Sequence, residues 1–122
     1  MSKEAYVTIE TAKLLKEHGF EWECNRYYYD GEYYFATISD NWNDDTGLVS
    51  IPTHQMALAW LREEHHIFIE IGTSVDLNGN YNFGYTILDN KCKFVRRGYR
   101  DFNFNYEDTV EAALKYSLKN FI

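Results

Sequence analysis

The alternation of apolar and polar positions is clearest in residues 51–71, IPTHQMALAWLREEHHIFIEI. Pro52 favours an extended approach and Thr53 is a good N-cap, so a helix is predicted to begin at His54. Apolar positions recur in it at spacings of three and four residues and predict one buried stripe, formed by Met56, Ala57, Trp60 and Leu61. Beyond the helix, apolar residues occupy alternate positions, as in a half-buried strand, at Ile67, Ile69 and Ile71. The segment therefore predicts a helix joined almost directly to a strand, with Trp60 in the core.

Two further helices are predicted, one near each end of the sequence. Thr8 can cap a helix over residues 9–18, and Gly19 can close it in the left-handed conformation. The last helix is predicted to begin at Asn105 or Tyr106, with acidic residues in its first turn, where the helix dipole favours them. Its predicted buried stripe consists of Val110, Ala113, Leu114, Ser117, Leu118 and Phe121.

The remaining apolar patterns predict strands joined by hairpins. Residues 22–38 predict two strands around Asp30-Gly31, which is a two-residue turn signal. Tyrosines occupy both alternating sets of positions in these strands, so both faces of the hairpin are predicted to be aromatic. The pair Asn78-Gly79 favours a type I′ turn before a strand over residues 81–88, and residues 92–97 predict the next strand.

Together these elements predict an α+β fold with the order α-β-β-α-β-β-β-α. Because hairpin connections dominate, we expect a two-layer arrangement in which three helices cover a mainly antiparallel sheet. At 122 residues the chain has the length of one domain, so residues 1–122 are predicted to form a single α+β domain. The pattern does not determine the order of the strands.

Composition narrows the classes of function. The chain has 19 acidic and 12 basic residues and a net charge of −7 at pH 7. This balance argues against direct, sequence-specific binding of nucleic acid, because affinity for phosphate backbones depends on lysine and arginine. Aromatic residues make up 18% of the chain and include 11 tyrosines, a composition typical of protein recognition surfaces.

The sequence also predicts a cytoplasmic protein. No apolar run approaches the roughly 20 residues of a membrane span, and residues 1–10 lack the features of a signal peptide. We therefore expect no membrane association. Cys24 and Cys92 fit neither a metal-binding motif nor a disulfide framework, so both are expected to be reduced.

A polar loop over residues 39–47, SDNWNDDTG, places Trp42 among Asp40, Asp44 and Asp45. No register of this loop puts glycine at the sixth position of a calcium-binding loop with ligands at the first, third and fifth, so no metal is predicted. Two interpretations of Trp42 stay open. It folds back onto the protein, or it is a partner-facing anchor beside the aspartates, and its side chain is expected to be partly exposed.

Residues 91–100, KCKFVRRGYR, form a short basic segment that holds five of the 12 basic residues and no acidic residue. One interpretation is an edge strand whose charges oppose aggregation. In the other, Arg97, Tyr99 and Arg100 converge around a bend at Gly98, where the guanidinium groups hold an anionic nucleotide or another phosphate compound. The sequence leaves both interpretations open.

No common catalytic pattern is present. The sequence contains no nucleophile-elbow serine motif, no phosphate-binding glycine loop and no zinc-protease histidine motif. His65 and His66 are adjacent and therefore point to different sides, and His54 lies too far along the helix to share an ion with them. The histidine pair is instead expected to end the helix. We expect no enzyme activity, no metal and no cofactor.

Three segments carry a resemblance to known proteins: VTIETAKLLKEHGF at residues 7–20, IPTHQMALAWLREEHHIFIEI at residues 51–71 and NYEDTVEAALKYSLKNFI at residues 105–122. Together they resemble a family of small uncharacterised proteins that are abundant in phages and prophages of Bacteroidetes. The match to the family's central helix is carried by Thr53, Gln55, Trp60, Leu61, Arg62 and Glu63. The resemblance implies a phage-associated accessory protein in the host cytosol, without an established activity or cofactor.

Two hypotheses about function follow. In the first, an acidic, tyrosine-rich surface binds a host or phage protein without catalysis, by occupying a basic site on that partner. In the alternative, the basic segment and nearby tyrosines bind a small anionic ligand. A structural component of the virion is a third possibility, and a homodimer stays open.

Overall fold

The computed structural model describes residues 5–75, 77–91, 94–99 and 105–122. Its elements in chain order are α1 Ile9–Glu17, β1 Cys24–Tyr29, β2 Glu32–Asp40, a short 3₁₀ helix Trp42–Asp44, β3 Val49–Ser50, α2 His54–His65, β4 Phe68–Val75, β5 Tyr81–Leu88, β6 Phe94–Tyr99 and α3 Tyr106–Asn120. The α+β class, the three helices and the predicted order are confirmed, with β3 as an additional two-residue strand. The strands form two three-stranded sheets, a division that the sequence pattern did not indicate.

All three helices begin at a residue whose side chain accepts a hydrogen bond from the first turn. Thr8 accepts at 3.4 Å from the N–H three residues later, and Thr53 does the same at 3.1 Å. At α3 the cap is reciprocal, since Asn105 accepts from the Asp108 N–H at 2.8 Å and donates its own N–H to the Asp108 carboxylate at 3.3 Å. The predicted helix starts are thus confirmed by the capping that fixes them.

The helices α1 and α2 each end at a residue in the left-handed conformation. Gly19 follows α1 with a φ of 86°, as predicted. His66 follows α2 with a φ of 55°, and the Ile67 N–H reaches back to the Leu61 carbonyl at 3.1 Å. The bond that closes a Schellman helix end spans five residues and is made at α1, where the Phe20 N–H donates to the Leu15 carbonyl at 3.0 Å, whereas the Ile67 bond of α2 spans six. His66 therefore terminates the helix, which is the role expected for the histidine pair.

The chain divides into two compact units, Met1–Trp60 and Leu61–Ile122. In the first unit the sheet has the order β2-β1-β3. The hairpin of β1 and β2 turns through Asp30 at φ 49° and Gly31 at φ 86°, the two positive values that a type I′ turn requires. The predicted Asp-Gly turn is thus confirmed, whereas the folding of the whole chain as one domain stays a prediction.

The pairing of β1 with β2 is regular near the turn and irregular beyond it. Arg26 pairs with Phe35, but Cys24 pairs with Asp40. Residues 36–39 of β2 therefore lie opposite a single residue of β1, which makes a β-bulge. The bulge confines the regular part of the hairpin to its turn end.

The core of the first unit forms where α1 packs against β3. Trp60 is only 3% exposed, and its ring meets the ring of Phe20 edge to face, with 5.4 Å between ring centroids. Its prediction as a core residue is confirmed. Among the described residues of this unit, the other buried apolar residues are Val7, Ala12, Leu15, Phe20, Cys24, Ile51, Pro52 and Ala57.

In the second unit, β4, β5 and β6 form an antiparallel meander, and α3 packs against β5 and β4. Tyr85 and Ile87 are buried on β5, and the Tyr85 ring lies 6.5 Å from the ring of Tyr116 on α3. The predicted stripe of α3 is confirmed, with only Phe121 partly exposed, by the burial of Val110, Ala113, Leu114, Ser117 and Leu118.

Two predicted details of this second sheet differ. Val75 pairs with Tyr81, so the connection contains residues 76–80, and the prediction of a type I′ turn on Asn78-Gly79 is wrong. The strand predicted over residues 92–97 is observed as Phe94–Tyr99, and Cys92 and Lys93 lie outside the described residues. No helix in the described ranges is long and apolar enough to cross a membrane.

Candidate functional site

The β1–β2 hairpin exposes more large apolar side chains than its neighbouring segments. Every residue of β2 is exposed except Ala36, which is intermediate. We name the set the aromatic hairpin surface, which consists of Tyr29 (50% exposed), Tyr33 (42%), Tyr34 (37%), Phe35 (67%) and Ile38 (65%). These side chains lie on both faces of one short hairpin, and such a local concentration of exposed apolar side chains marks a candidate interaction surface.

One face of the hairpin is built around Arg26. Its guanidinium carbon lies 4.7 Å from the ring centroid of Tyr6, 4.5 Å from that of Tyr33 and 4.9 Å from that of Phe35. The Arg26 Nε atom is buried and has no hydrogen-bond partner among the described residues. Cation–π contact therefore holds this side chain, and it fixes the Tyr33 and Phe35 rings in place.

The opposite face is a stack of three aromatic rings. The Tyr27 ring lies between its two neighbours, with its centroid 5.3 Å from that of Tyr34 and 4.6 Å from that of Trp42. The Tyr34 hydroxyl donates to the Glu32 carboxylate at 3.2 Å, and this bond raises the pKa of Tyr34. Both faces of the hairpin are thus aromatic, as predicted. The face that carries Tyr34 also carries the Glu32 carboxylate.

Trp42 folds back onto the first unit. Its indole N–H donates to the Cys24 carbonyl at 2.7 Å, and its backbone N–H donates to the Ser50 hydroxyl at 3.1 Å. The side chain is nevertheless partly exposed, as predicted. The structural interpretation of this residue is therefore correct, and its role as a partner-facing anchor stays a prediction.

The three candidate aspartates of this loop are exposed. Asp40 accepts from the N–H of Asn41 at 2.7 Å, and Asp45 accepts from the N–H of Gly47 at 2.8 Å. Each of these two bonds uses one carboxylate oxygen. The exposed carboxylates of Asp40, Asp44 and Asp45 can therefore still interact with a basic partner. Within the described ranges, no group of three or more acidic, histidine or cysteine side chains could hold a metal ion.

Neighbouring elements hold the loop in place. Lys16 of α1 donates to the Asp45 carbonyl at 2.9 Å and to the Leu48 carbonyl at 2.6 Å. Asn43 donates to the Phe20 carbonyl at 3.0 Å and accepts from the Ser50 N–H at 2.8 Å. The aspartates are consequently presented on a fixed backbone, which limits the conformational entropy that this loop would lose when a partner binds.

Charge is concentrated around the hairpin. Residues 19–50 contain one basic residue, Arg26, whose charge is stacked on aromatic rings. The same range contains seven acidic residues, all exposed: Glu21, Glu23, Asp30, Glu32, Asp40, Asp44 and Asp45. This excess of carboxylates favours partners with basic side chains.

The described backbone of the basic segment, residues 91–100, does not have the bend that the ligand-binding interpretation expected. Gly98 pairs with Gly84 in an uninterrupted ladder from Phe94 to Tyr99, so the expected bend at Gly98 is absent. β6 is instead an edge strand in the order β4-β5-β6, as the other interpretation predicted. Arg97 pairs with Tyr85 within this ladder, and Arg100 lies outside the described residues.

Sequence reasoning found the aspartates but missed Arg26, Tyr6 and Phe35. Tyr6 lies far from the hairpin in sequence, so no local pattern could place it against Arg26. The apolar side chains at both alternating sets of positions in β2 predicted two aromatic faces, but they do not show which residues meet on each face.

Cys24 is a buried thiol rather than a reactive group. It is 2% exposed, and its sulfur lies 3.6 Å from the Trp22 carbonyl oxygen and 3.7 Å from the Met56 sulfur. Burial raises the pKa of the Cys24 thiol to about 12, partly offset by a hydrogen bond with Ser50. Thiolate, the nucleophilic form, is therefore scarce at neutral pH.

We expect Cys24 to resist a thiol reagent in the folded protein. In a Cys92→Ser variant, which leaves only this thiol, Ellman's reagent at about pH 8 should react slowly until denaturant is added. Because the folded pKa lies above the unfolded one, burial of the thiol favours the folded state below the unfolded pKa of 9.0. That contribution is lost as the pH rises from there towards 12. Fast labelling before unfolding would contradict this assignment.

No family model, no curated protein and no solved structure matches this chain.

Proposed function

We propose that this protein is a phage-associated accessory protein that binds a host or phage protein, without catalysis, through its acidic, tyrosine-rich surface. The observation that carries the proposal is the aromatic hairpin surface. Its exposed rings lie in a stretch of the chain, residues 19–50, that contains seven carboxylates and one arginine. The association with phages rests on the three segments that resemble the Bacteroidetes phage family.

The aromatic side chains supply the affinity in this proposal. Tyrosine and phenylalanine offer large contact areas, and interfaces are enriched in aromatic residues for this reason. The rings of the hairpin are also held before binding, since Tyr33 and Phe35 contact Arg26 and Tyr34 contacts Tyr27. A surface that is already ordered loses less entropy when a partner binds.

The carboxylates determine which partner binds. Seven exposed acidic residues in residues 19–50 attract a basic surface and repel an acidic one, which affects the association rate and the specificity more than the final affinity. We therefore expect a basic partner whose association weakens as salt is raised.

The extent of this surface favours a macromolecule over a small ligand. β2 has nine residues, so its exposed side chains are distributed over about 30 Å. The alternative, a small anionic ligand on residues 91–100, relied on a bend at Gly98, and the described backbone is a regular ladder there. We therefore retain protein binding as the proposed function.

Affinity purification with charge-neutralised variants tests the proposal. The test variant is Asp30→Asn with Glu32→Gln, since asparagine tolerates the left-handed conformation of Asp30 and glutamine can still accept from the Tyr34 hydroxyl. The matched control is Glu63→Gln with Glu64→Gln, which removes the same charge from two exposed positions of α2.

The wild type and the control should retain the same basic protein from host lysate, identified by mass spectrometry, and the hairpin variant should lose most of it. The retained partner should elute at moderate salt. A partner that binds all three proteins equally would overturn the proposed surface. Recovery of no protein partner, together with a bound nucleotide or other anion, would favour the alternative.

A further inference from the structure

We propose that the outer edge of β2 takes an extended, basic segment of the partner as an additional strand. This inference rests on the proposed function, since it specifies how the hairpin binds a protein. β2 is the edge strand in the order β2-β1-β3, and no described residue pairs with its outer side. An exposed edge of this kind can be extended by a strand of another chain through main-chain hydrogen bonds.

The backbone groups that point outward are those of Tyr33 and Phe35. The Arg26 carbonyl accepts from the Ile51 N–H at 2.9 Å, so the polar groups of Arg26 face β3 rather than β2. Its partner Phe35 therefore does not bond to it and points its own N–H and carbonyl to the open side. Because these groups alternate in direction along a strand, those of Tyr33 also point outward, and those of Tyr34 point towards β1.

The usual protection of an edge is incomplete in β2. Natural edges are protected by charged side chains, especially lysine, by proline, by a bulge or by a covering element. The sequence of β2, EYYFATISD, contains neither lysine nor proline, and its two charged residues, Glu32 and Asp40, stand at its ends. The bulge at residues 36–39 protects the far half alone, so the regular half from Glu32 to Phe35 is left available.

Charge identifies the added segment. Asp30 and Glu32 lie beside the regular half of the edge, and both are exposed. Arg26, the one basic residue in residues 19–50, is engaged by three aromatic rings. A second copy of this chain would bring a net charge of −7 against the same carboxylates, whereas a basic strand would neutralise them. The occupant is therefore an extended segment in which lysine or arginine alternates with apolar residues.

Proline and alanine substitutions at one position separate strand addition from side-chain contact. Tyr33→Pro and Tyr33→Ala both remove the ring, but only proline removes the outward N–H and obstructs an added strand. The internal ladder should survive both changes because Tyr33 does not bond to β1. Circular dichroism and thermal melting establish that each variant is folded, and Phe35→Pro with Phe35→Ala provides a second pair.

The probe is a synthetic peptide in which lysine alternates with valine, with a glutamate-valine peptide as the charge control. At low salt the lysine peptide should bind wild type and bind Tyr33→Pro roughly tenfold more weakly than Tyr33→Ala. Amide exchange measured by NMR should show new protection at Tyr33 and Phe35 on binding, and little change at Tyr34. These effects should be absent with the glutamate peptide.

Three results would overturn the inference. They are the absence of lysine-peptide binding at low salt, equal binding by the proline and alanine variants, and binding without new amide protection. None of them affects the proposed function, which depends on the capture of a partner by wild type and its loss in the neutralised variant. Protection that rises with protein concentration in the absence of peptide would instead assign the edge to a second copy of the chain.

Discussion

Trp60→Ala should be the most destabilising of the substitutions considered, with a loss of about 3–5 kcal/mol in the free energy of unfolding. Trp60 is 3% exposed, and its ring packs edge to face on Phe20. Removal of a large buried ring loses both its transfer free energy and the contacts around the cavity that remains. Since small domains are stable by about 5–15 kcal/mol, this loss is a large fraction of the total, and the denaturation midpoint of the variant should fall strongly.

Urea denaturation followed by circular dichroism measures this loss. Trp22→Ala is the matched control, since Trp22 is also a tryptophan beside Phe20, with 6.3 Å between ring centroids, but is partly exposed. It should cost clearly less than Trp60→Ala. Equal denaturation midpoints for wild type and Trp60→Ala would show that the stripe of α2 is not part of the core.

The positions of the helices could be predicted because the signals that set them are local. Thr8, Thr53 and Asn105 each cap the turn that immediately follows, and Gly19 ends α1 one residue after its C-cap. The apolar stripe of α3 likewise depends on spacings of three and four residues. Such information is contained in windows of a few residues, so a sequence is sufficient to show it.

The division into two sheets could not be predicted in the same way. It depends on which strands pair, and pairing joins residues that are distant in sequence, as β3 joins β1 through Ser50 and Tyr27. β3 has two residues, which is too short for an alternating pattern. The bulge at residues 36–39 is similarly invisible, because it exists only in the register with β1.

The acidic character of the candidate site could be predicted from the sequence, whereas the arrangement of its aromatic rings could not. The aspartates around Trp42 are adjacent in sequence, so composition revealed them. The rings of Tyr6, Tyr33 and Phe35 surround Arg26, which requires Tyr6 to pack against a hairpin that is distant from it in sequence. No local pattern shows such a contact. The open edge of β2 is also a property of the sheet as a whole rather than of any residue.

Trp42→Ala should cost about 2–3 kcal/mol of stability, less than Trp60→Ala because Trp42 is only partly buried. The substitution removes the ring that stacks on Tyr27 and the donor that satisfies the Cys24 carbonyl at 2.7 Å. Trp42→Phe keeps an aromatic ring and loses that donor, so its cost should be about 1 kcal/mol. Urea denaturation of the two variants separates these contributions.

Binding by Trp42→Phe then distinguishes support of the hairpin from direct contact with a partner. Through Tyr27 the indole supports Tyr34, so a phenylalanine ring should preserve the stack and leave affinity for the lysine peptide within about twofold of wild type. Trp42→Ala should bind more weakly, because the stack that orders Tyr34 loses one member and binding must then order it. If Trp42→Phe is stable but no longer binds, the exposed edge of the indole itself contacts the partner, and Trp42 is an anchor of the interface rather than its support.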